Sequence, residues 1–477
     1  MREIASQLVK KIHEGSISPM KHLTEIFAEL DRRDKELNAY ITVSRENALD
    51  IARDAEDRAD DGQEGKLSGL ALALKDNIST SGLRTTCGSM MLDDYIPPYD
   101  ANVVSLLKKE GAIIIGKTNM DEFGMGSSTE FSAFGPSKNP HDIERVPGGS
   151  SGGSAVAVAT GMADMALGSD TGGSIRCPAS FCGVVGLKPT YGLVSRFGLI
   201  AYGNSLEQIG PITRSVGDCA LLLNCITSYD SRDSTSVRNE QKDYASYLEP
   251  DLTGMKIGVP RLFFGPGTDE NVSKKVWKSI ENLKDEGAEV QEFDLSLLNN
   301  ALSSYYVIAM SEASSNLARF DGLRYGLQMS KGIRNWSDLF SLDRRNGFGP
   351  EVKRRIILGT FALSAGYMDE YYLKAQKVRT LVKNEFERAF KRFDIMLGPT
   401  MPTLPFKLGE KTEDPITMYM CDVDTVPANL TGFPAITIPC GSSGSLPIGL
   451  QVIAPPFRED LLIGTGSVVE RRSGWVI

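Results

Sequence analysis

Serine is the residue whose surroundings in this sequence most clearly suggest covalent chemistry. Residues 148–152, Gly-Gly-Ser-Ser-Gly, satisfy the G-x-S-x-G pattern of a nucleophile elbow. In α/β-hydrolases that serine is followed along the chain by an acidic residue and then by a histidine. The histidines of this chain all precede Ser150, and they are His13, His22 and His141. This excludes the hydrolase order. The chymotrypsin-like order leaves only His141, which we expect to be a surface or loop residue.

A serine nucleophile without a histidine needs another base, and a lysine that burial makes neutral is the usual substitute. Lys75 follows the apolar run L-A-L-A-L at 70–74, which predicts a buried strand. Burial disfavours the ammonium form, but the pKa has to fall by about three units from about 10.4 for work at neutral pH. A lysine at a strand end is otherwise a solvated edge residue. The pattern therefore makes Lys75 a candidate base whose pKa the sequence alone does not give.

Two loops rich in glycine and serine follow, P-G-G-S-S-G-G-S-A at 147–155 and G-S-D-T-G-G-S-I-R at 168–176. In the second loop, Ser174 comes directly after three small residues, Thr171, Gly172 and Gly173. Consecutive N–H groups in such a segment are able to stabilise an oxyanion beside the Ser174 hydroxyl. Either loop taken alone is equally compatible with a flexible turn.

Lys75, Ser150 and Ser174 together, with the strings at 145–155 and 182–196 around them, resemble the amidase signature family. The resemblance implies a Lys-Ser-Ser triad in which Lys75 is the base and Ser174 the nucleophile. Ser150 would be the bridging serine, preceded by a cis peptide bond. The oxyanion would be held by N–H groups of the segment Thr171, Gly172 and Gly173.

Within that family, three further strings are similar to the glutaminase subunits of tRNA-dependent amidotransferases and are usually lacking in general amidases. They lie at 305–322, 347–360 and 418–434. The substrate implied is free glutamine, bound through Tyr305, Arg355 and Asp422. Arg355 would bind the α-carboxylate and Asp422 the α-ammonium group. Each of these residues has a residue of the same type beside it or two positions away, so the assignment stays open between them and Tyr306, Arg354 and Asp424.

The same resemblance implies a heterotrimer in which this chain is joined by two other subunits, B and C. The chain has 52 Lys and Arg against 61 Asp and Glu, a net charge of −9, which opposes a broad grip on nucleic acid. Residues 111–118 match the phosphate-binding loop pattern, but their middle four, Ala-Ile-Ile-Ile, are strand-forming. We therefore expect tRNA, ATP and Mg to bind a partner subunit, with no cofactor or metal in this chain.

Two rival hypotheses remain open beside this one. One is a stand-alone amidase acting on small amides, which predicts full activity of the chain alone. The other is a scaffold without catalysis, which has no need of an intact triad. We expect the partner subunit to determine whether the tRNA carries glutamate, aspartate or both.

Strand-like and helix-like stretches alternate along the chain around these residues. This alternation predicts an α/β fold with a mixed sheet flanked by helices. We expect one domain over 1–477, divided into a helical preface (1–62), a Gly/Ser-rich catalytic core (67–225), a helix-rich insertion (270–395) and a return to the sheet (396–477). Ser18-Pro19 predicts a helix start, and strands are predicted at 112–115, 435–439 and 449–453. Gly464 and Gly466 are expected to interrupt the final helix.

Composition places the chain among ordinary globular proteins, with 41% hydrophobic residues. The seven cysteines are odd in number and show no C-x-x-C, so we expect buried free thiols. The apolar runs are too short for a membrane span and the N-terminus does not resemble a signal peptide, which predicts a cytoplasmic protein.

Overall fold

The computed structural model describes residues 4–58, 65–322, 324, 326–328 and 335–475. Its centre is one mixed sheet of eleven strands in the order β1-β3-β2-β4-β6-β5-β10-β11-β9-β7-β8. The strands are β1 Tyr40–Val43, β2 Ala71–Lys75, β3 Ile113–Thr118, β4 Met165–Asp170, β5 Val185–Lys188, β6 Gln208–Thr213, β7 Lys256–Pro260, β8 Glu289–Phe293, β9 Ile395–Pro399, β10 Ala435–Ser443 and β11 Leu446–Ile453. Strand β2 runs parallel to both β3 and β4, whereas β10 and β11 form an antiparallel hairpin.

Fifteen α-helices within the described residues surround this sheet. They are α1 Ala5–His13, α2 Pro19–Leu37, α3 Arg45–Arg58, α4 Asn102–Lys109, α5 Gly152–Ala159, α6 Arg176–Cys182, α7 Val216–Ile226, α8 Glu270–Asp285, α9 Ala301–Asn316, α10 Trp336–Gly347, α11 Pro350–Leu363, α12 Lys374–Ala389, α13 Pro415–Tyr419, α14 Val426–Thr431 and α15 Glu459–Ser473.

Helices cover both faces of the sheet because successive side chains of a strand point to opposite sides. In β2, Leu72 and Leu74 join a core built with α4, α7, α8 and α15, whereas Ala71 and Ala73 join one built with α2 and α5. A third core packs α9, α11 and α12 near β9 and β10. The predicted mixed sheet flanked by helices is confirmed.

Several local predictions are also confirmed. Helix α2 begins at Pro19, and the Ser18 Oγ caps it by accepting the Lys21 N–H at 3.1 Å. The predicted strands correspond to β2, β3, β10 and β11. Residues 113–118 of the phosphate-loop match are a strand, with Lys117 buried and donating to Thr85 Oγ1 at 2.8 Å. No open loop is present there.

The helical preface needs a correction, because it contains strand β1 at the edge of the sheet, antiparallel to β3. Its sequence Y-I-T-V consists of residues that favour strands, but it is too short to show a clear alternation. Residues 1–3 and 59–62 of the predicted preface lie outside the described residues. The region 270–395 likewise contains β8, an edge strand with mostly exposed side chains, so no apolar pattern marked it.

The prediction that glycine would interrupt the last helix is wrong. Helix α15 runs unbroken through Gly464 and Gly466. A Cβ on Gly464 would lie 3.3 Å from Pro250 Cβ, and one on Gly466 would lie 3.4 Å from Ile438 Cγ1. A side chain at Gly464 would therefore be tight, whereas one at Gly466 would make an ordinary contact. Most of the helix is buried, and this packing outweighs the poor helix propensity of the two glycines.

The seven cysteines are buried free thiols, as predicted. His141 is a half-buried loop residue whose Nε2 lies 2.9 Å from the Cys182 carbonyl oxygen. No helix in the described part of the chain is both long and apolar enough to cross a bilayer.

Candidate active site

Lys75 is the last residue of β2, and its side chain is completely buried. Its Nζ lies 2.6 Å from Ser150 Oγ, 3.0 Å from Ser169 Oγ and 3.2 Å from the Ser169 carbonyl oxygen. Burial lowers the pKa of Lys75 to about 7, although the nearby carboxylates of Asp121 and Asp170 oppose the shift. A substantial fraction of Lys75 is therefore neutral at pH 7, which a general base requires.

Ser150 lies in the loop that leads into α5, and the peptide bond between Gly149 and Ser150 is cis, as predicted. This loop passes very close to the loop after β3. A Cβ on Gly149 would lie 2.1 Å from Asp121 Oδ2 and 2.6 Å from the Ser128 nitrogen, so only glycine fits. The close approach holds the Ser150 hydroxyl at Lys75.

Ser174 lies in the loop between β4 and α6, which the buried carboxylate of Asp170 organises. Asp170 accepts hydrogen bonds from the N–H groups of Gly173 at 2.8 Å and Ile175 at 3.1 Å. It also pairs with the buried guanidinium of Arg176 at 3.0 Å. Although burial alone would raise it, the pKa of Asp170 is held well below its usual value by Arg176, so this carboxylate stays charged.

The triad is ordered from the core outward. Lys75 is 0% exposed, Ser150 1% and Ser174 7%. The Ser174 carbonyl oxygen accepts the Ser151 N–H at 3.1 Å, which joins the two serine loops. Of the three predicted triad residues, Ser174 is therefore the most exposed.

The predicted oxyanion segment is only partly available. Since Gly173 donates its N–H to Asp170, that group is already used. Among the described residues, none accepts a hydrogen bond from the N–H of Thr171, Gly172 or Ser174. Of the predicted segment, these neighbouring N–H groups are therefore the ones left unbonded.

One of the predicted glutamine-binding residues, Tyr305, lies against the loop that carries Ser174. A Cβ on Gly172 would lie 2.4 Å from the hydroxyl of Tyr305, which is carried by α9. From the other side, Thr425 Oγ1 donates to the Gly172 carbonyl oxygen at 2.6 Å. Helix α9 and the segment before α14 thus both contact the loop that carries Ser174.

Asp422 is buried beside Tyr306. Its Oδ2 accepts hydrogen bonds from Tyr306 Oη and Ser127 Oγ, both at 2.8 Å. Burial raises the pKa of Asp422 to about 6, so the carboxylate remains mainly ionised at pH 7. The alternative residue, Asp424, is also buried, and burial raises its pKa well above the usual value. The contact with Tyr306 favours Asp422 as the ionised group.

Arg355 points inward from α11. Its Nε donates to Glu351 Oε1 and its Nη1 to Tyr202 Oη, both at 2.7 Å. Only 3% of the Arg355 side chain is exposed, against 38% for Arg354, so the structure favours Arg355 of the two. Both candidate tyrosines face this region, Tyr305 at Gly172 and Tyr306 at Asp422.

Sequence analysis missed the residues that hold this constellation in place. Asp170 and Arg176 flank Ser174 in one short string, and two opposite charges inside an otherwise small and uncharged loop were a usable signal. Tyr202 and Glu351 gave no such signal, because only the tertiary structure brings them to Arg355. Among the described residues, no cluster of three His, Cys, Asp or Glu side chains is arranged to hold a metal.

We compared the chain with protein-family models and with curated proteins. The family model described as Amidase matches residues 22–463. The A subunit of the glutamyl-tRNA(Gln) amidotransferase of Caldanaerobacter subterraneus subsp. tengcongensis is 52% identical over 98% of this chain and 95% of its own. That of Methanosarcina mazei is 53% identical over 98% and 96%.

Solved structures show the same relationship. The crystal structure of the A subunit of the glutamyl-tRNA(Gln) amidotransferase from Thermotoga maritima superposes with a TM-score of 0.78 at 42% identity, covering 95% of this chain and 90% of its own. A bacterial aryl acylamidase of the amidase signature family gives 0.86 at 26% identity, covering 99% and 96%. With the family model matching most of its length, the chain belongs to the amidase signature family.

Proposed function

We propose that this chain is the glutaminase subunit of a tRNA-dependent amidotransferase, hydrolysing glutamine to glutamate and ammonia. The observation that carries the proposal is a pair of buried, oppositely charged groups, Arg355 and Asp422, which both contact Tyr306. The neighbouring Tyr305 lies against Gly172 in the loop that carries Ser174. A zwitterionic amide needs one such group for each of its charges, and its amide then lies at Ser174. The relatives that are A subunits of glutamyl-tRNA(Gln) amidotransferases support the choice within the family.

The first chemical step forms an ester. Neutral Lys75 accepts the proton of Ser150 as Ser150 takes that of Ser174, and the Ser174 Oγ attacks the side-chain amide carbon of glutamine. The N–H groups of Thr171, Gly172 and Ser174 stabilise the oxyanion. Return of the proton to the nitrogen breaks the C–N bond and releases ammonia. Water, activated through the same relay, then cleaves the glutamyl ester to glutamate and restores Ser174.

Substrate selection comes from the two charged groups. The fork of the Arg355 guanidinium suits the α-carboxylate, and Asp422 suits the α-ammonium group. Both are buried, so each charge of the substrate is bound away from water and interacts more strongly than at the surface. A stand-alone amidase for small neutral amides would gain nothing from either group.

The proposed partners are subunits B and C, with tRNA, ATP and Mg bound outside this chain and the whole assembly in the cytoplasm. The net charge of −9 and the buried Lys117 support this division, because neither suits a phosphate-rich ligand. An exposed apolar surface on α11 and the turn after it supports the need for partner chains. Ile357 is 68% exposed, and the rings of Phe361 and Tyr367 lie 4.5 Å apart at about 45% exposure each.

The test is substrate preference in the assembled complex. We expect kcat/KM for glutamine to exceed that for propionamide by at least about 100-fold, since each buried charge pair contributes about 1.5–3 kcal/mol. Ammonia and glutamate release would be measured for both substrates. Equal hydrolysis of the two amides by the isolated chain would instead establish the stand-alone amidase.

A further inference from the structure

In the proposed glutamine site, Arg355 and Asp422 are buried side chains of opposite charge that are both meant to bind the substrate. Without glutamine between them, a buried arginine and a buried carboxylate gain strongly by pairing with each other. Such a pair would remove both groups that recognise the substrate. Tyr306 contacts both, with its hydroxyl on Asp422 and its ring centre 5.4 Å from the Arg355 guanidinium carbon.

Arg355 pairs with Glu351 instead. The carboxylate of Glu351, one turn earlier on α11, accepts the Arg355 Nε–H at 2.7 Å, and 2% of it is exposed. The same oxygen accepts the Tyr419 hydroxyl at 2.7 Å, and the other oxygen pairs with Arg354. With both oxygens occupied, Glu351 has little capacity left for a substrate ammonium group.

The contacts of Arg355 leave one of its three guanidinium nitrogens, Nη2, without a hydrogen-bond acceptor among the described residues. Nε and Nη1 are used by Glu351 and Tyr202. The rings of Tyr202, Tyr306 and Tyr419 surround the guanidinium carbon at 5.2–5.7 Å. Nη2 carries two N–H groups, so it is the part of the guanidinium left to donate to a substrate carboxylate.

We propose that Glu351 is a positioning residue that turns the Nη2 of Arg355 toward the α-carboxylate of glutamine and keeps Arg355 from pairing with Asp422. Glu351 thereby sets the preference for amides that carry that carboxylate. The inference rests on the proposed glutaminase function. Specificity for glutamine then depends on the carboxylate of Glu351, which does not itself contact the substrate.

The test compares Glu351→Gln with Arg354→Gln, which removes a different partner of the same carboxylate and alters a more exposed side chain. Two substrates are needed, glutamine and 4-aminobutanamide, which is glutamine without its α-carboxylate. For Glu351→Gln we expect KM for glutamine to rise at least tenfold with kcat changed less than twofold. We expect kcat/KM for 4-aminobutanamide to stay within twofold of wild type. Arg354→Gln should match wild type on both, and Glu351→Asp should recover part of the lost glutamine affinity.

Several results would overturn the proposal. An unchanged KM for glutamine in Glu351→Gln would show that Arg355 holds its orientation without this carboxylate. An equal loss on both substrates, or a loss of kcat alone, would show a general structural role. Failure of the wild-type complex to hydrolyse glutamine at all would refute the proposed function itself, and that result is visible before any variant is made.

Discussion

Replacing the buried base is expected to stabilise the fold while it abolishes activity. The pKa of Lys75 falls from 10.5 to about 7 on folding, which corresponds to about 5 kcal/mol at about 1.4 kcal/mol per unit. Lys75→Met removes this cost but also the hydrogen bonds to Ser150 and Ser169, whose loss costs about 1–3 kcal/mol. We therefore expect the variant to be more stable at pH 7 by about 2 kcal/mol or more, with no measurable glutaminase activity.

The stability difference between Lys75→Met and wild type should depend on pH, and its sign shows whether the desolvated lysine causes it. Below pH 7 Lys75 is protonated in both the folded and the unfolded state, and the folded state bears the full desolvation cost. Between pH 7 and 10.5 only the unfolded state still holds the proton, so wild-type stability rises toward that of Lys75→Met. The advantage of the variant should therefore shrink by about 1.4 kcal/mol per pH unit above 7.

The assay is urea unfolding of wild type and Lys75→Met at pH 7, 8 and 9. Lys108→Met is the control, because Lys108 is 41% exposed and its pairing with Asp100 is a surface contact. The control should show no pH-dependent difference from wild type. A Lys75→Met difference that is constant with pH, or a destabilised variant at pH 7, would refute a neutral buried Lys75.

Three further predictions concern the site and its surface. Glutaminase kcat/KM should rise roughly tenfold from pH 6 to pH 8, because the active form is Lys75 without its proton; a flat profile would contradict this. Gly149→Ala should reduce glutamine hydrolysis at least about 100-fold, since its Cβ would clash with Asp121; an active, folded variant would contradict the close approach. Ile357→Glu should weaken co-purification with co-expressed subunits B and C, whereas Ile416→Glu, at 73% exposure elsewhere, should not; equal assembly would place the interface elsewhere.

The parts of the fold and site that were predictable are those encoded locally. Lys75 follows a run of five apolar residues at 70–74 that predicts the strand, and consecutive small residues mark the two serine loops. The resemblance to the amidase signature family then tied Lys75, Ser150 and Ser174 into one triad. The structure places Lys75 Nζ 2.6 Å from Ser150 Oγ.

The parts that were not predictable depend on tertiary contacts. Strand β8 lies at the sheet edge with exposed side chains, so its sequence carries no apolar alternation. Gly464 continues a helix because Pro250 packs against it, and helix propensity alone gives the opposite answer. The Gly173 N–H is taken by a carboxylate three residues earlier, which follows from the turn of the loop and not from its composition.

The central claim is that this chain supplies ammonia to a partner and performs no later step. The measurement that tests it is amidated aminoacyl-tRNA formed by the assembled complex, wild type or Ser174→Ala, with glutamine or with a high concentration of ammonium salt. If Ser174 acts only in glutamine hydrolysis, as proposed, the variant should form no product from glutamine and close to the wild-type amount from ammonium. A folded, assembled Ser174→Ala complex that is inactive with ammonium would contradict the account.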